Sequence, residues 1–238
     1  MLSDIRRTFR TLNSLLADHR HINPSMEIVY RELFLRELRS IGLDDEYYPV
    51  GSAASHGFLY FLARTLRNLP VSRILELGAG QTTLLIDRVK RQLALDYEVE
   101  TIEHDEQWAA EHQAAVQHPV IRAPLSPRTV EGHRIDYYSH PLLETGPPID
   151  LLLVDGPPAH QRRIQFNRLG ALDIVKTRLG ADFIIAIDDS QRNGEQLLVE
   201  RVRAVLEERG VAFRSGTIVA ARKLTVIAGG RLLKASFY

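Results

Sequence analysis

Few folds are open to a chain that runs Arg73-Ile74-Leu75-Glu76-Leu77-Gly78-Ala79-Gly80-Gln81-Thr82-Thr83. A short, mostly apolar run from Ile74 to Leu77 meets two glycines, and a helical pattern follows at once. The order buried strand, glycine turn, helix opens an α/β unit. It places backbone N–H groups and a helix N-terminus at the carboxyl end of a strand, where open α/β sheets bind ligands. Glu76, two residues before the first glycine, narrows the ligand. A carboxylate there offers nothing to a pyrophosphate and suits a cationic or hydroxyl-rich group.

The rest of the chain repeats the unit. Strands are expected at 74–77, 98–103, 120–123, 149–154 and 183–187, with helices over 82–95, 106–117, 161–178 and 194–208. Alternation of this kind implies βαβ units and a mostly parallel sheet. The runs IDLLLV and FIIAI are apolar throughout, as strands covered on both faces are. Beyond residue 210 three short strand patterns, 211–213, 217–220 and 224–228, leave no room for crossover helices, so an antiparallel edge is expected.

Before the glycine turn the pattern is helical. Ile5, Phe9, Leu12 and Leu16 recur at helical spacing over residues 3–17, Met26 to Ile41 form a second helix ended by Gly42, and a third runs from His56 to Asn68. The expected architecture is a Rossmann-like, seven-stranded, mostly parallel sheet with one antiparallel edge strand. Residues 1–50 form an N-terminal helical extension, and 51–238 form the α/β domain.

Charge excludes some functions. Thirty basic residues balance thirty acidic ones, and such a balance gives no broad positive field for nucleic acid or an anionic membrane. No cysteine is present, which removes disulfides, thiolate metal sites and cysteine nucleophiles together. No segment has the apolar core of a signal peptide or the length of a membrane span. A soluble, cytoplasmic protein is expected, acting on a small molecule and on neither nucleic acid nor membrane.

Gly78 and Gly80 lack the third glycine of a dinucleotide fingerprint, because Thr83 stands in its place. Glu76, Gly78 and Gly80, followed by an acid at the end of the next strand, Glu103, instead resemble the class I S-adenosylmethionine (SAM)-dependent methyltransferases. The strings LLLVDGPP and IIAIDDSQR are similar to those of a bacterial subgroup of these enzymes. The resemblance spans about residue 55 to the C-terminus. It implies SAM as cofactor, with the glycines close to its methionine and ribose moieties. Glu76 would reach its ammonium group, Glu103 its ribose hydroxyls, His104 and Asp105 its adenine, and Asp155 its methyl group.

Three carboxylates, Asp155, Asp188 and Asp189, fall at the ends of two neighbouring strands. Such an oxygen set suits Mg²⁺, and acids at these positions resemble those of catechol-type O-methyltransferases. Capping of the next helix by Asp189 or Ser190, and pairing of Asp188 with Arg168 or Arg192, are the alternatives. Asp155, Asp188 and His160 are the candidate catalytic residues, and His56 is a second candidate base. Tyr47 and Tyr48 are expected to anchor the N-terminal helices, Tyr137 and Tyr138 to line an acceptor pocket or to serve as such an anchor, and Trp108 to lie in the core. The reading is methyl transfer from SAM to an oxygen or nitrogen of a small-molecule acceptor. Its rivals are a NAD-dependent Rossmann oxidoreductase and a non-catalytic SAM-binding interaction protein.

Overall fold

The computed structural model describes residues 22–44, 47–48 and 53–238. The helix expected over 3–17, and Gly51 and Ser52, lie outside the described residues. Helices α1 (Ser25–Ser40) and α2 (His56–Asn68) precede β1 (Arg73–Leu77), α3 (Gln81–Leu93), β2 (Glu98–Glu103), α4 (Glu106–Ala115) and β3 (Val120–Arg122). A hairpin of β4 (Leu125–Val130) and β5 (His133–Tyr138) follows, then a short α5 (Leu142–Thr145) and β6 (Ile149–Val154). A 3₁₀ turn (Asn167–Gly170) leads into α6 (Ala171–Thr177), β7 (Leu179–Ile187), α7 (Asn193–Glu208), β8 (Phe213–Val219), β9 (Lys223–Gly229) and a terminal 3₁₀ helix (Gly230–Phe237).

Seven strands form one sheet in the order β3-β2-β1-β6-β7-β9-β8. Strands β3, β2, β1, β6 and β7 are parallel, while β9 runs antiparallel to both β7 and β8. The antiparallel strand therefore sits one place in from the edge, and β8 closes the sheet outside it. The order reverses between β1 and β6, and a crevice opens at such a switch point.

Alternation along the strands divides the core. Ile74, Leu151, Leu153, Ile184, Ala186 and Val226 pack against α2 and α3 on one face. Leu75, Leu77, Leu152, Val154, Ile185 and Ile187 pack against α6, α7 and the β4–β5 hairpin on the other. Each fully buried aliphatic side chain of this kind contributes about 1.5–3 kcal/mol. Helix α1 joins the first face through Phe34 and Leu38, and Tyr47 closes on Phe34 edge to face at 5.2 Å, so this tyrosine is the expected anchor. Its neighbour Tyr48 is exposed. Among the described residues no helix is long and apolar enough to cross a membrane.

Two departures from the sequence reading come from tertiary packing. The helix expected over 161–178 is broken into turns and a 3₁₀ segment up to Gly170. The Asn167 side chain donates to the Pro158 carbonyl and accepts from the Asp136 N–H, while Arg168 donates to the Pro157 carbonyl. A Cβ on Gly170 would stand 2.3 Å from the Tyr137 ring. The second departure is the β4–β5 hairpin. Its turn residues Glu131 and Gly132 both have positive φ, 51° and 78°, as a primed hairpin turn requires, but Glu-Gly is not one of the strong turn signals.

The two fingerprint glycines differ in kind. Gly78 has φ +96°, and a Cβ there would lie 3.1 Å from the Asp155 carbonyl carbon and the Gly156 nitrogen. Gly80 is extended, with no atom within 4 Å of its would-be Cβ. Gly78→Ala is expected to cost about 2–3 kcal/mol, and Gly80→Ala less than about 1 kcal/mol, which urea denaturation of the two variants would compare.

Candidate active site

The carboxyl ends of β1, β2 and β6 open onto a cavity of about 790 Å³, a size that suits small-molecule ligands. Its β1–β2 half is built around Glu103. The Ala79 N–H donates to Oε2 at 3.0 Å, and the His104 and Asp105 N–H groups donate to Oε1 at 2.7 and 2.8 Å. His104 Nδ1 stands 2.6 Å from Oε1. Burial pushes the Glu103 carboxyl up, but the His104 ring and the backbone donors of Asp105 and Ala79 outweigh it and hold the group below its ordinary range. The same contact raises His104. A carboxylate offers about four lone-pair sites, so Oε2, with one backbone donor, keeps capacity for a hydroxyl.

Asp105 caps α4 by accepting from the Trp108 N–H at 2.8 Å. That cap sets the indole at the cavity rather than in the core, a correction to the sequence reading. Trp108 is 45% exposed, lines the cavity, and donates from Nε1 to the Ala79 carbonyl at 2.8 Å. Tyr138, at the end of β5, forms the facing wall. It is buried, its hydroxyl has no hydrogen-bond partner among the described residues, and a Cβ on Gly156 would lie 2.1 Å from that oxygen. From sequence the Tyr137-Tyr138 pair reads as bordering the cleft, with pocket lining and anchoring both open, and the unread hairpin is what sets Tyr138 at the cavity.

Glu76 does not line the cavity. It is buried beneath the glycine turn, where Oε2 accepts from the hydroxyls of Thr83 (2.7 Å) and Thr101 (2.8 Å). Thr83 Oγ1 in turn accepts from the Gly80 N–H at 2.9 Å. The acid therefore holds the turn and the first turn of α3 in place through Oε2, while its buried Oε1 has no hydrogen-bond partner among the described residues. Burial raises Glu76 to about 7 against these hydroxyl bonds. An acid whose folded pKa exceeds its unfolded one contributes stability below the unfolded value, and that contribution is lost as pH rises through the folded value. Glu76, and Glu195 (likewise about 7), should therefore make thermal stability fall between about pH 4.5 and 7. Glu76→Gln, which keeps an acceptor for both hydroxyls, is expected to flatten that fall by about 1–3 kcal/mol, read as melting temperature against pH.

The other half of the cavity lies at the ends of β6 and β7. Asp155, Gly156, Pro158, Ala159, His160, Arg168, Asp189, Arg192 and Arg222 line it. Arg168, 5% exposed in its side chain, is at its centre. Its Nη2 donates to the Asp155 carbonyl (2.6 Å) and to Asp155 Oδ1 (3.0 Å), and its Nη1 donates to the Asp188 carbonyl (3.2 Å). Asp189 Oδ2 lies 3.5 Å from Nη1, and Glu195 Oε1 lies 3.6 Å from Nε. Arg192 contacts Asp189 at 2.7 Å, and Arg222 lies 3.8–3.9 Å from Asp188 and Asp189. Burial raises Asp155 to about 6 against the pull of Arg168.

The predicted acids are thus brought together. Oxygens of Asp155, Asp188 and Asp189 lie within 4.8 Å of one another. In number they suit Mg²⁺, but in charge they do not, since a divalent ion would sit beside three guanidinium groups already within 4 Å of these acids. Asp188 is fully buried with neither oxygen bonded, and burial next to Asp155 and Asp189 pushes its pKa well up. The guanidinium groups of Arg168, Arg192 and Arg222 already answer the charge of these acids, and the residues do not fit a resident Mg²⁺.

Asp188 does not line the cavity. Neither Asp189 nor Ser190 caps α7: its N-cap is Arg192, and the Ser190 hydroxyl donates to the Lys223 carbonyl. His56 is also away from the cavity. It is buried against α1, with Nδ1 2.9 Å from Glu27 Oε1, and serves as a clasp between the two helices rather than as a base. His160 is exposed on the cavity rim.

No protein-family model matches the chain, and no curated protein matches it. Among solved structures it is similar to an SAH-bound methyltransferase of Podospora anserina, at 14% identity, covering 94% of this chain and 96% of that one with a TM-score of 0.52. A methyltransferase of Pyrococcus furiosus (15% identity, 86% and 96% covered, TM-score 0.49) and an O-methyltransferase of Bacillus cereus in complex with SAH (15%, 84% and 90%, 0.45) are also similar. The first likeness runs almost end to end in both chains and is one of fold. The chain has a Rossmann-like α/β fold similar to that of the Podospora anserina methyltransferase.

Proposed function

We propose that this chain transfers a methyl group from SAM to an oxygen or nitrogen of a small-molecule acceptor. The observation that carries the reading is Glu103, an acid held ionised by backbone N–H donors, with a free hydrogen-bond site turned to the cavity. That is the chemistry a vicinal diol requires, and it sits beside a positive-φ glycine at the switch point of the sheet. The Trp108 indole and His104 ring border the same half and suit an adenine face. The buried Tyr138 hydroxyl, without a protein partner, offers a polar contact to a bound donor.

Bound SAM supplies a methyl group on a sulfonium, whose sulfur leaves as a neutral thioether. The protein's part is mainly alignment. Asp155, at the end of β6, faces the position between the two halves of the cavity. As the acceptor's lone pair forms the new bond, the methyl–sulfur electron pair stays on sulfur and the acceptor's proton passes to His160, whose exposed ring returns it to solvent. Asp188 acts at one remove, as part of the packing behind Arg168.

Calorimetric titration with SAM, S-adenosylhomocysteine and NAD tests the reading. SAM and S-adenosylhomocysteine are expected to bind one per chain, with affinity unchanged by EDTA. Tight NAD binding without SAM binding would overturn it in favour of an oxidoreductase. SAM binding with no turnover over a panel of acceptors would leave an interaction module.

A further inference from the structure

Arg168 is held as an ion is coordinated. Six oxygens stand around its guanidinium: the carbonyls of Asp155 (2.6 Å), Pro157 (3.2 Å) and Asp188 (3.2 Å), and carboxylate oxygens of Asp155 (3.0 Å), Asp189 (3.5 Å) and Glu195 (3.6 Å). Hard divalent ions gather the same kind of set, six or more oxygens drawn from carboxylates, carbonyls and water. Here the oxygens come from the loop after β6, the turn after β7 and the first turn of α7. One side-chain charge therefore serves three segments of the chain.

The guanidinium also lies where the three clustered acids converge. Its Nη2 faces the Asp155 carboxylate, and its Nη1 faces Asp189 while donating to the Asp188 carbonyl. The Asp188 carboxylate is fully buried off the cavity wall, and neither of its oxygens is hydrogen-bonded among the described residues. An Mg²⁺ ion sits about 2.0–2.1 Å from its oxygens and keeps several waters. An ion shared by these acids would lie against the guanidinium, which stands 3.0 and 3.5 Å from oxygens of two of them. Asp188, which does not line the cavity, offers the ion's waters no opening. Removing the guanidinium lifts both obstacles. The repelling charge goes, and the volume of an arginine side chain opens between the cavity wall and the buried acids.

We propose that Arg168 is a resident cation standing in the place of a divalent ion, and that Asp155, Asp188 and Asp189 form a latent metal site which its removal uncovers. The assignment needs nothing from the methyl-transfer reading. Its consequence for the reaction does rest on that reading: the acceptor is oriented and deprotonated by side chains, with no ion to bind it or to lower its pKa.

The test is Mn²⁺ binding, counted by electron paramagnetic resonance on the whole, ligand-free chain. Mn²⁺ takes the same oxygen ligands as Mg²⁺. Counts are taken against Asp189→Asn, which removes this site and keeps any other. The parent is expected to hold no Asp189-dependent ion tighter than about 1 mM, and Arg168→Ala one ion per chain at about 100 µM or tighter. At about 1 mM Mn²⁺ the melting temperature of Arg168→Ala should rise by about 3–6 °C, and that of the parent by less than about 1 °C. Arg168→Lys restores a cation and should bind no ion. Arg168→Ala/Asp189→Asn should lose about tenfold or more of the affinity that Arg168→Ala gains. An Asp189-dependent ion held tightly by the parent would overturn the proposal. So would an Arg168→Ala chain that Mn²⁺ neither binds nor stabilises, or an Arg168→Lys chain that binds the ion as the alanine variant does. S-adenosylhomocysteine is titrated separately, and its failure to bind would count against the donor reading while leaving the ion counts as they stand.

Discussion

Arg168→Met is expected to destabilise the protein by about 3–5 kcal/mol at pH 8 and by clearly less at pH 5.5. The side chain joins three elements at once. It bonds the carbonyls of Asp155, Pro157 and Asp188 and lies within 3.6 Å of the carboxylates of Asp155, Asp189 and Glu195. Methionine fills much of the volume but leaves the acids without their cation. Removing one partner of a buried ionic cluster costs more than the cluster itself contributes, because the remaining charges stay desolvated. The pH dependence follows from the acids. Without Arg168, Asp155 and Glu195 would move further above about 6 and about 7. The folded variant then holds protons that the unfolded chain has released, so its deficit grows as pH rises. Urea denaturation at the two pH values reads the difference, and a deficit that is equal at both would show that packing, not charge, is what Arg168 supplies.

Glu103→Gln is the variant expected to change ligand binding most, weakening S-adenosylhomocysteine by about 100-fold. An amide cannot replace this carboxylate. Oε1 receives two backbone N–H donors and Oε2 a third, so whichever way the glutamine is turned, its NH₂ faces at least one N–H. The turn after β1 and the cap of α4 are then both disturbed, since Ala79 and Asp105 are two of the donors. Glu103→Asp, one methylene shorter, keeps the charge and should lose less stability than Gln while still losing affinity. Calorimetry for binding and melting temperature for the ligand-free protein separate the two effects. A Gln variant that binds as the parent does would remove Glu103 from the site.

Much of the architecture was legible because it is written in local pattern. Apolar runs such as IDLLLV, glycines at a strand end and helical spacing of Leu residues are sufficient to locate the parallel strands and to place Glu103 and Asp155 on one edge of the sheet. The site was less legible wherever a side chain's partner lies far along the chain. Glu76 has the spacing of a ligand-binding acid, yet Thr83 and Thr101 take it beneath the turn. His56 stands beside a small-residue loop and reads as a candidate base, yet Glu27, on the preceding helix, buries it. Trp108 reads as core from composition alone, and the α4 cap turns it outward to the cavity. Tyr137 and Tyr138 read as a pair bordering the cleft with no role decided, because a Glu-Gly turn does not announce the hairpin that sets Tyr138 on the cavity wall.

The three carboxylates at the ends of β6 and β7 show the division most clearly. That Asp155, Asp188 and Asp189 share an edge follows from sequence alone, because each ends an apolar run that is necessarily a buried strand. Whether such acids gather around a metal or around a cation of the chain depends on which residues return to that edge from elsewhere. Arg168, Arg192 and Arg222 are separated from one another by 24 and 30 positions, and no periodicity links them. Only packing brings their charges together, and Coulomb energy, which depends on distance in space and not along the chain, then decides what the acids hold.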